Sequence, residues 1–314
     1  MNIAIVSAVK WCGKVSEDLA LQRALADCGH TATLVAWEDE TIDWQAFDTA
    51  VLRSAWGYQY RISDFFAWID SLAPKGVRLL NPPRLLAENI RKHRQMSRWR
   101  RANLPLIPTA FLSRRDEPEL SPPAGALMQT IEAHFPSHRY GFVLKPVISA
   151  SGGDTVLLDP YNALDRLSCP MDEGEALFQA LLEREESIGV MLQPFYSEVS
   201  GGELALVYFG GQFSHAARRF TGVLGGEKTA VYEPTVPPEF LQIGGRVLAA
   251  LGETPVYMRV DLVETKQGPV LMEVELAEPF LFLDYLPEAK RTAAVRWLAA
   301  EISSRVQQKS PSIV

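Results

Sequence analysis

The sequence has few of the residues that build disulfide frameworks or thiolate metal sites. It contains three cysteines and five histidines among 314 residues, and no two cysteines form a CxxC pair. An odd number of cysteines leaves one thiol unpaired in any disulfide scheme, which favours a reducing compartment. We therefore predict a cytoplasmic protein in which Cys12, Cys28 and Cys169 serve as small buried hydrophobes.

Long apolar runs and long basic runs are also missing. The apolar stretch within residues 1–10 is far shorter than the ~20 residues that a membrane-spanning helix needs, and it lacks a charged leader. The formal net charge is −7, which disfavours a polyanion as the main partner. The basic stretch 91–101 is either a phosphate-binding patch or a solvated helix face. We expect neither a membrane nor nucleic acid as a partner.

Several well-known catalytic and nucleotide-binding motifs are absent. The sequence contains no GxxxxGK[ST] loop, no GxGxxG fingerprint and no HExxH pair, and no Ser/His/Asp arrangement includes His215. These absences argue against a P-loop nucleotidase, a dinucleotide-binding dehydrogenase, a zinc protease and a serine hydrolase. Any nucleotide site in this chain has to be built differently.

What is present is an ordered change in hydrophobic pattern along the chain. Short apolar strands alternate with amphipathic helices over about the first 85 residues, a pattern typical of a parallel sheet covered by helices. Asn81-Pro82-Pro83 then interrupts the chain, because proline restricts its own backbone and that of its predecessor. Strands joined by glycine-containing turns dominate from Gly141 onward, before a closing helix near residues 289–306.

Two strand-like segments near the C-terminus carry charges inside apolar sequence. They are residues 257–263 (YMRVDLV) and 270–276 (VLMEVEL), joined by a short polar connection that suits a hairpin. Because strand side chains alternate between faces, Arg259 and Asp261 share one face, and Glu273 and Glu275 share another. If the two faces coincide, three carboxylates and one guanidinium converge there.

Such a cluster requires a compensating cation if it is buried. Uncompensated carboxylates in an apolar sheet cost several kcal/mol each, and oxygen-only ligands suit Mg²⁺ held together with nucleotide phosphates. Arg259 would then stabilise charge on a transferring phosphate. The alternative is an amphipathic edge hairpin whose charged residues face water. The spacing leaves both interpretations open.

Two further segments have the composition of phosphate- and nucleotide-binding loops. Lys145 ends a strand and is followed by the small-residue stretch 148–154, in which backbone N–H groups can approach phosphate oxygens. Gln193-Pro194-Phe195 follows an apolar strand and could offer backbone groups to an adenine edge, with Glu203 placed for ribose hydroxyls. Considered singly, each segment is also compatible with an ordinary strand-to-strand turn.

The order of these motifs resembles the ATP-grasp superfamily, specifically its glutathione-synthetase-like branch, which contains D-cycloserine synthetase and related amino acid ligases. The motifs cover nearly the whole chain: NxxK (89–92), FVLKP (142–146), LQPF (192–195), GGE (201–203), SHAARR (214–219), MRVDLV (258–263) and MEVEL (272–276). RSAWGY (53–58) and LAEPFLFL (276–283) strengthen the resemblance.

The resemblance implies an α/β ATP-grasp fold and a set of site residues. The N-terminal α/β domain would span residues 1–85, two α+β subdomains that clasp ATP would span 86–195 and 196–306, and a tail would follow at 307–314. The implied nucleotide-binding residues are Lys92, Lys145, Ser149, Ser151, Gly152, Gly153, Gln193, Pro194, Phe195 and Glu203. The implied magnesium ligands are Asp261, Glu273 and Glu275, and the implied catalytic residues are Arg259, Lys145, Arg218 and Arg219.

The resemblance also implies an activity. An enzyme of this type activates a carboxylate as an acyl phosphate with ATP and Mg²⁺, for which Mn²⁺ can substitute, and transfers it to an amine. Small amino acids are the implied substrates, Arg53 is a candidate for holding a substrate carboxylate, and a homodimer is the implied assembly. Two alternatives remain open: a ligase that adds amino acids to a protein or peptide acceptor, and a nucleotide-binding sensor without turnover.

Overall fold

The computed structural model describes residues 1–150, 154–164, 168–184, 187–220 and 229–308. The helices within these ranges are α1 (Ser16–Asp27), α2 (Ile62–Leu72), α3 (Pro83–Ile90), α4 (Lys92–Arg101), α5 (Leu127–His134), α6 (Met171–Glu183), α7 (Pro238–Leu251) and α8 (Glu288–Gln307). The strands are β1 (Asn2–Ser7), β2 (Thr31–Ala36), β3 (Thr49–Leu52), β4 (Arg78–Leu80), β5 (Ala110–Leu112), β6 (Phe142–Pro146), β7 (Val156–Leu158), β8 (Val190–Pro194), β9 (Glu203–Phe209), β10 (Gln212–Phe220), β11 (Thr229–Glu233), β12 (Tyr257–Thr265) and β13 (Gly268–Glu275).

The first sheet is parallel and has the order β2-β1-β3-β4. Its central strand β1 is apolar on both faces, because helices cover both sides of a parallel sheet. Ile3 and Ile5 pack with Leu21 of α1, whereas Ala4 on the other face joins the cluster that contains Phe65 of α2. The parallel α/β sheet predicted for the first 85 residues is therefore confirmed.

Two antiparallel sheets form the rest of the molecule. One has the order β5-β8-β6-β7, and the other has the order β11-β10-β9-β12-β13. Strands β12 and β13 form an antiparallel hairpin. Gly268, in the turn between them, has a φ of 108°. A glycine fits this position because other residues rarely adopt positive φ. The fold class predicted from the sequence is confirmed.

The connection between the first sheet and the others is a broken helix. Arg91 has extended backbone angles (φ −86°, ψ 91°) and separates α3 from α4. Helix α4 packs against α7, and the side chain of Gln95 in α4 hydrogen-bonds to the backbone of Val274 in β13. The boundary predicted at residue 85 falls inside α3, and the division into domains stays a prediction.

One local expectation differs from the structure. Cys28 is exposed, and Cys12 and Cys169 are only partly buried, so the cysteines are not core residues. In the ranges that the structure describes, no helix is long and apolar enough to cross a membrane.

The packing of α7 onto β9 gives a direct stability test from two adjacent glycines. A Cβ at buried Gly244 would lie 1.9 Å from the Tyr208 hydroxyl oxygen, whereas a Cβ at exposed Gly245 would have nothing within 4 Å. We expect Gly245→Ala to raise the free energy of unfolding by about 0.5–1 kcal/mol, since alanine favours helix. Gly244→Ala should lower it by about 1–3 kcal/mol through overpacking.

Denaturant titration of both variants measures this difference. Adding Tyr208→Phe to Gly244→Ala removes the nearest oxygen and should restore part of the loss. Equal shifts in the two single alanine variants would contradict the packing of α7 described above.

Candidate active site

The hairpin of β12 and β13 brings the predicted charged residues together. Arg259 lies opposite Glu275, and Asp261 lies opposite Glu273, in the antiparallel register. Asp261 is 0% exposed and Arg259 is 3% exposed. The two predicted faces therefore coincide, and the side chains of Glu273 and Glu275 are 24% and 25% exposed. The alternative of a hairpin whose charged residues face water does not hold for Arg259 and Asp261.

Arginines neutralise the carboxylates on this buried face. Arg259 donates from Nε and Nη2 to the two oxygens of Asp261 at 2.8 and 2.9 Å, and also from Nη2 to Glu275. Arg219 on β10 lies 3.0 Å from Asp261 and also pairs with Glu203 on β9. Paired and hydrogen-bonded charges are the form in which ionised groups tolerate burial.

Two lysines complete the cluster. Lys92 at the start of α4 donates to Glu273. Burial alone would raise the pKa of Glu273, but Lys92 and Lys145 outweigh that effect and lower it to about 2. Burial lowers the pKa of Lys145, although Glu273 partly offsets that effect. Burial also raises the pKa of Glu275, against the opposing influence of Arg259. The site therefore contains carboxylates with very different proton affinities.

The first and last residues of the NxxK motif have different roles: Asn89 forms structural hydrogen bonds, and Lys92 supplies a charge. Asn89 donates from Nδ2 to the carbonyl of Val274 at 2.8 Å and accepts from the backbone N–H of Leu276 at 2.9 Å. These bonds fix α3 to the edge strand β13. Lys92, three residues later, begins α4 and is 9% exposed. The anchored turn thereby directs the lysine to Glu273.

A cavity of about 690 Å³ lies over this cluster, within the size range of small-molecule sites. Its wall includes residues from both antiparallel sheets, from the broken helix and from the segments that follow β1 and β3. The predicted site residues on the wall are Lys92, Lys145, Ser149, Gln193, Pro194, Phe195, Glu203, Arg219, Arg259, Glu273 and Glu275. Ser151, Gly152 and Gly153 lie outside the described residues.

The predicted adenine-binding segment is held rigidly at the end of β8. Gln193 is 3% exposed and donates from Nε2 to the Thr109 hydroxyl at 2.8 Å. The backbone N–H of Phe195 donates to the carbonyl of Gly141 at 2.8 Å, and the Phe195 ring stacks on Tyr140 with a centroid distance of 6.1 Å. The cavity wall here combines apolar rings with backbone groups, as a planar heterocycle requires.

Adjacent arginines on β10 have different surroundings. Arg219 lines the cavity, whereas Arg218 donates from Nε to Glu233 at 3.0 Å and does not line it. Alternation along a strand separates neighbouring side chains in this way. Of the two arginines proposed from the sequence, the geometry favours Arg219 for contact with a bound phosphate.

Arg53 does not line the cavity. It is 3% exposed, and its guanidinium lies 3.4 Å from Glu17 and 3.6 Å from Asp18 and donates to the carbonyl of Pro279 at 3.1 Å. This geometry does not favour the prediction that Arg53 contacts a substrate carboxylate, because Glu17 and Asp18 already lie beside its guanidinium. Its contacts fix the segment that begins at Pro279.

Several cavity residues were not singled out from the sequence. Glu278 is 8% exposed and lines the cavity together with Tyr58. Trp11, Trp56 and Phe280 also lie on the wall. An available signal was the isolated glutamate within the apolar stretch 276–283. It lies beyond the end of β13, so strand alternation could not assign it to a face.

The carboxylate cluster has the composition of a site for a hard divalent cation. One oxygen from each of Asp261, Glu273 and Glu275 lies within 4.8 Å of the others. Mg²⁺ prefers oxygen ligands and is typically held by one or two carboxylates together with substrate phosphates. The residues present therefore fit the predicted magnesium site, and Lys145 and Arg219 nearby fit anionic phosphates.

Comparisons with known proteins agree with the predicted resemblance. Residues 3–81 match the family model described as the N-terminal domain of the D-cycloserine synthetase DcsG. The cycloserine biosynthesis protein DcsG of Streptomyces lavendulae is 29% identical over 283 residues, which cover 84% of this chain and 87% of that protein. Both similarities are consistent with the motif order found in the sequence.

Solved structures give the same result for the fold. The crystal structure of D-cycloserine synthetase DcsG superposes with a TM-score of 0.80 at 24% identity, covering 98% of this chain and all of that one (100%). D-alanine–D-alanine ligase from Bacillus anthracis, solved with ATP, superposes with a TM-score of 0.66 at 14% identity, covering 99% of each chain. The chain thus has the ATP-grasp fold and is similar to D-cycloserine synthetase over most of its length.

Proposed function

We propose that this protein is an ATP-dependent carboxylate–amine ligase that acts on amino-acid-like small molecules and releases ADP and phosphate. The observation that carries the proposal is the cavity cluster itself. Lys145, Arg219 and Arg259 face it together with Glu273 and Glu275, so one cavity contains groups for phosphate and for a divalent cation. A site built only to bind a nucleotide would not need this many buried carboxylates.

The nucleotide would occupy the part of the cavity between the two antiparallel sheets. In our proposal the adenine lies along Gln193–Phe195, and Glu203 accepts hydrogen bonds from the ribose hydroxyls. Lys92, Lys145 and the backbone near Ser149 would bind the phosphates. Supporting evidence is that these residues share one cavity wall, and that the similar ligase from Bacillus anthracis was solved with ATP.

Asp261, Glu273 and Glu275 would hold Mg²⁺, for which Mn²⁺ is a chemically reasonable substitute. When bound, the cation would neutralise phosphate charge during phosphoryl transfer. Lys92 and Arg259 now pair with these same carboxylates. We infer that the pairs exchange when nucleotide arrives, so that the carboxylates face the cation and the basic groups face phosphate.

The proposed chemistry has two steps. An oxygen of the substrate carboxylate attacks the γ-phosphorus of ATP, the bond to the β-phosphate oxygen breaks, and an acyl phosphate and ADP result. A neutral amine then attacks the acyl carbon, the amide bond forms, and inorganic phosphate leaves with the electron pair of the broken C–O bond. Arg219 and Arg259 would stabilise the negative charge that develops on the transferred phosphoryl group.

Small amino acids are the substrates we propose, because the relative and the neighbouring structures named above are ligases or biosynthetic proteins for molecules of that class. A homodimer and a cytoplasmic location remain predictions from the sequence. The three cysteines form no disulfide, which is consistent with a reducing compartment.

Glu273→Gln tests the carboxylate cluster. We expect phosphate release from Mg-ATP, screened over single and paired D- and L-amino acids, to fall at least about a hundredfold, because a neutral amide weakens the cation site and leaves Lys92 uncompensated. Glu264→Gln is the matched control, since Glu264 is an exposed glutamate on the same hairpin. It should retain wild-type rates.

Phosphate release that ignores the amino acid supplied, or that persists in Glu273→Gln, would contradict the ligase proposal. Tight ATP binding without release for any amino acid pair would favour a macromolecular acceptor or a nucleotide sensor instead.

Neighbouring arginines provide a second matched pair. We expect Arg219→Ala to lower kcat by about 10²–10³-fold, as for the removal of one preorganised charge at a reacting group. Arg218→Ala should change kcat by only a few fold, because Arg218 pairs with Glu233 outside the cavity. Steady-state kinetics on both variants, with thermal melting to verify folding, measure the contrast. Equal losses would refute the assignment of Arg219.

A further inference from the structure

A continuous row of aromatic rings forms part of the cavity wall. We call Trp11, Trp56, Phe280, Phe282 and Tyr285 the aromatic wall; all five line the cavity. Successive ring centroids along this row lie 5.6, 6.3, 5.1 and 6.0 Å apart. Ring faces attract cations as well as apolar groups. None of these residues belongs to the proposed nucleotide or metal site.

Glu278 lies at this wall with its backbone in a defined position. Its backbone carbonyl accepts from Trp56 Nε1 at 3.1 Å, and Tyr58 lies on the same cavity wall. Tyr58 is 3% exposed and stacks on Phe65 with a centroid distance of 4.6 Å. The backbone of Glu278 is therefore fixed at the cavity surface.

Glu278 differs from the other acidic side chains of the cluster in its ion pairs. The other four acidic side chains of the cluster, Glu203, Asp261, Glu273 and Glu275, each form an ion pair with a lysine or arginine. Among the residues that the structure describes, no lysine or arginine forms an ion pair with Glu278. Burial, together with nearby Glu275, raises the pKa of Glu278 to about 8.

A ligand can supply the positive charge that an ionised Glu278 would pair with. A primary ammonium donates hydrogen bonds to a carboxylate and is attracted to the faces of tryptophan and phenylalanine rings. Acidic side chains and aromatic rings together are therefore a complementary environment for such a group. A bound ammonium would favour the ionised form of Glu278, whose pKa burial and nearby Glu275 otherwise raise.

We propose that Glu278, held at its backbone by Trp56 and flanked by the aromatic wall, binds the cationic amino group of an amino acid substrate. This inference deepens the proposed ligase function and rests on it for the identity of the ligand as a substrate. It assigns the substrate class to compounds that carry an ammonium group beside the reacting centre.

The segment that carries Glu278 is fixed by buried contacts with helix α1 and with the residue that follows β3. Glu17 accepts from the backbone N–H groups of Leu281 and Leu283 at 3.0 and 2.8 Å, and Arg53 donates to the carbonyl of Pro279 at 3.1 Å. These bonds set the positions of Phe280 and Phe282 between them. Arg53 is thus a positioning residue for the ammonium site rather than a ligand contact.

Propylammonium ion tests the site without requiring turnover. The indole N–H signal of Trp56 in a ¹H–¹⁵N spectrum reports on its hydrogen bond to the backbone carbonyl of Glu278. The signal is assigned by its loss in Trp56→Phe. We expect propylammonium to shift this signal saturably and 1-propanol, which is neutral and of similar size, to leave it unchanged. Glu278→Gln, which keeps the backbone carbonyl and the side-chain size but removes the charge, should abolish the shift.

Kinetics give the second measurement. With the amino acid that best supports phosphate release, Glu278→Gln should raise KM for that amino acid about 10- to 100-fold and leave KM for ATP within about twofold, as for loss of a charged hydrogen bond. Asp284→Asn, an exposed carboxylate on the same segment, is the control and should change neither.

The outcomes separate the two proposals. No Trp56 shift with propylammonium in the wild-type protein, or an unchanged amino acid KM in Glu278→Gln, would overturn the ammonium site. A saturable, Glu278-dependent shift in a protein that releases no phosphate with any amino acid would support the cation site and refute the ligase proposal.

Discussion

The ion-pair cluster on the buried face of the β12–β13 hairpin is the constraint on which the rest of the site depends. Arg259 and Asp261 are almost fully buried and lie opposite Glu275 and Glu273. Burial of these charges is tolerated because each has a partner, some within the hairpin and others from elsewhere in the fold. Lys92 from α4 is one of them. The packing of α4 onto this sheet therefore also brings Lys92 to the carboxylate that it neutralises, Glu273.

Different parts of the fold contribute residues to the cavity wall. The sheet of β5 to β8 supplies Lys145 and the Gln193–Phe195 segment, and the sheet of β9 to β13 supplies the carboxylates. The segment that follows β3 contributes Tyr58 to the same wall as Glu278. A ligand in the cavity would therefore contact both antiparallel sheets and the N-terminal region, which is the arrangement that lets an enzyme bring a nucleotide and a second substrate together.

Sequence patterns predicted the fold and seven of the eight charged residues on the cavity wall, because alternation and motif order can be read from the sequence. Alternation placed Arg259 with Asp261 and Glu273 with Glu275, whereas the coincidence of the two faces depends on the register of the hairpin. Alternation also places Arg218 and Arg219 on opposite faces of β10, but the sequence does not tell which face meets the cavity. Glu278 lies beyond a strand end and Arg53 is enclosed by Glu17 and Asp18. Their environments arise from tertiary packing.

Transfer of ¹⁸O from the substrate carboxylate tests the acyl-phosphate route most directly. The measurement uses the amino acid that best supports phosphate release, labelled with ¹⁸O in its carboxylate, and mass analysis of the released phosphate. An oxygen of the carboxylate becomes the bridging oxygen of the acyl phosphate and leaves with phosphorus when the amine attacks carbon. Each phosphate should therefore carry one labelled oxygen. Unlabelled phosphate would show that water, not the carboxylate, attacks ATP, and would contradict the ligase mechanism.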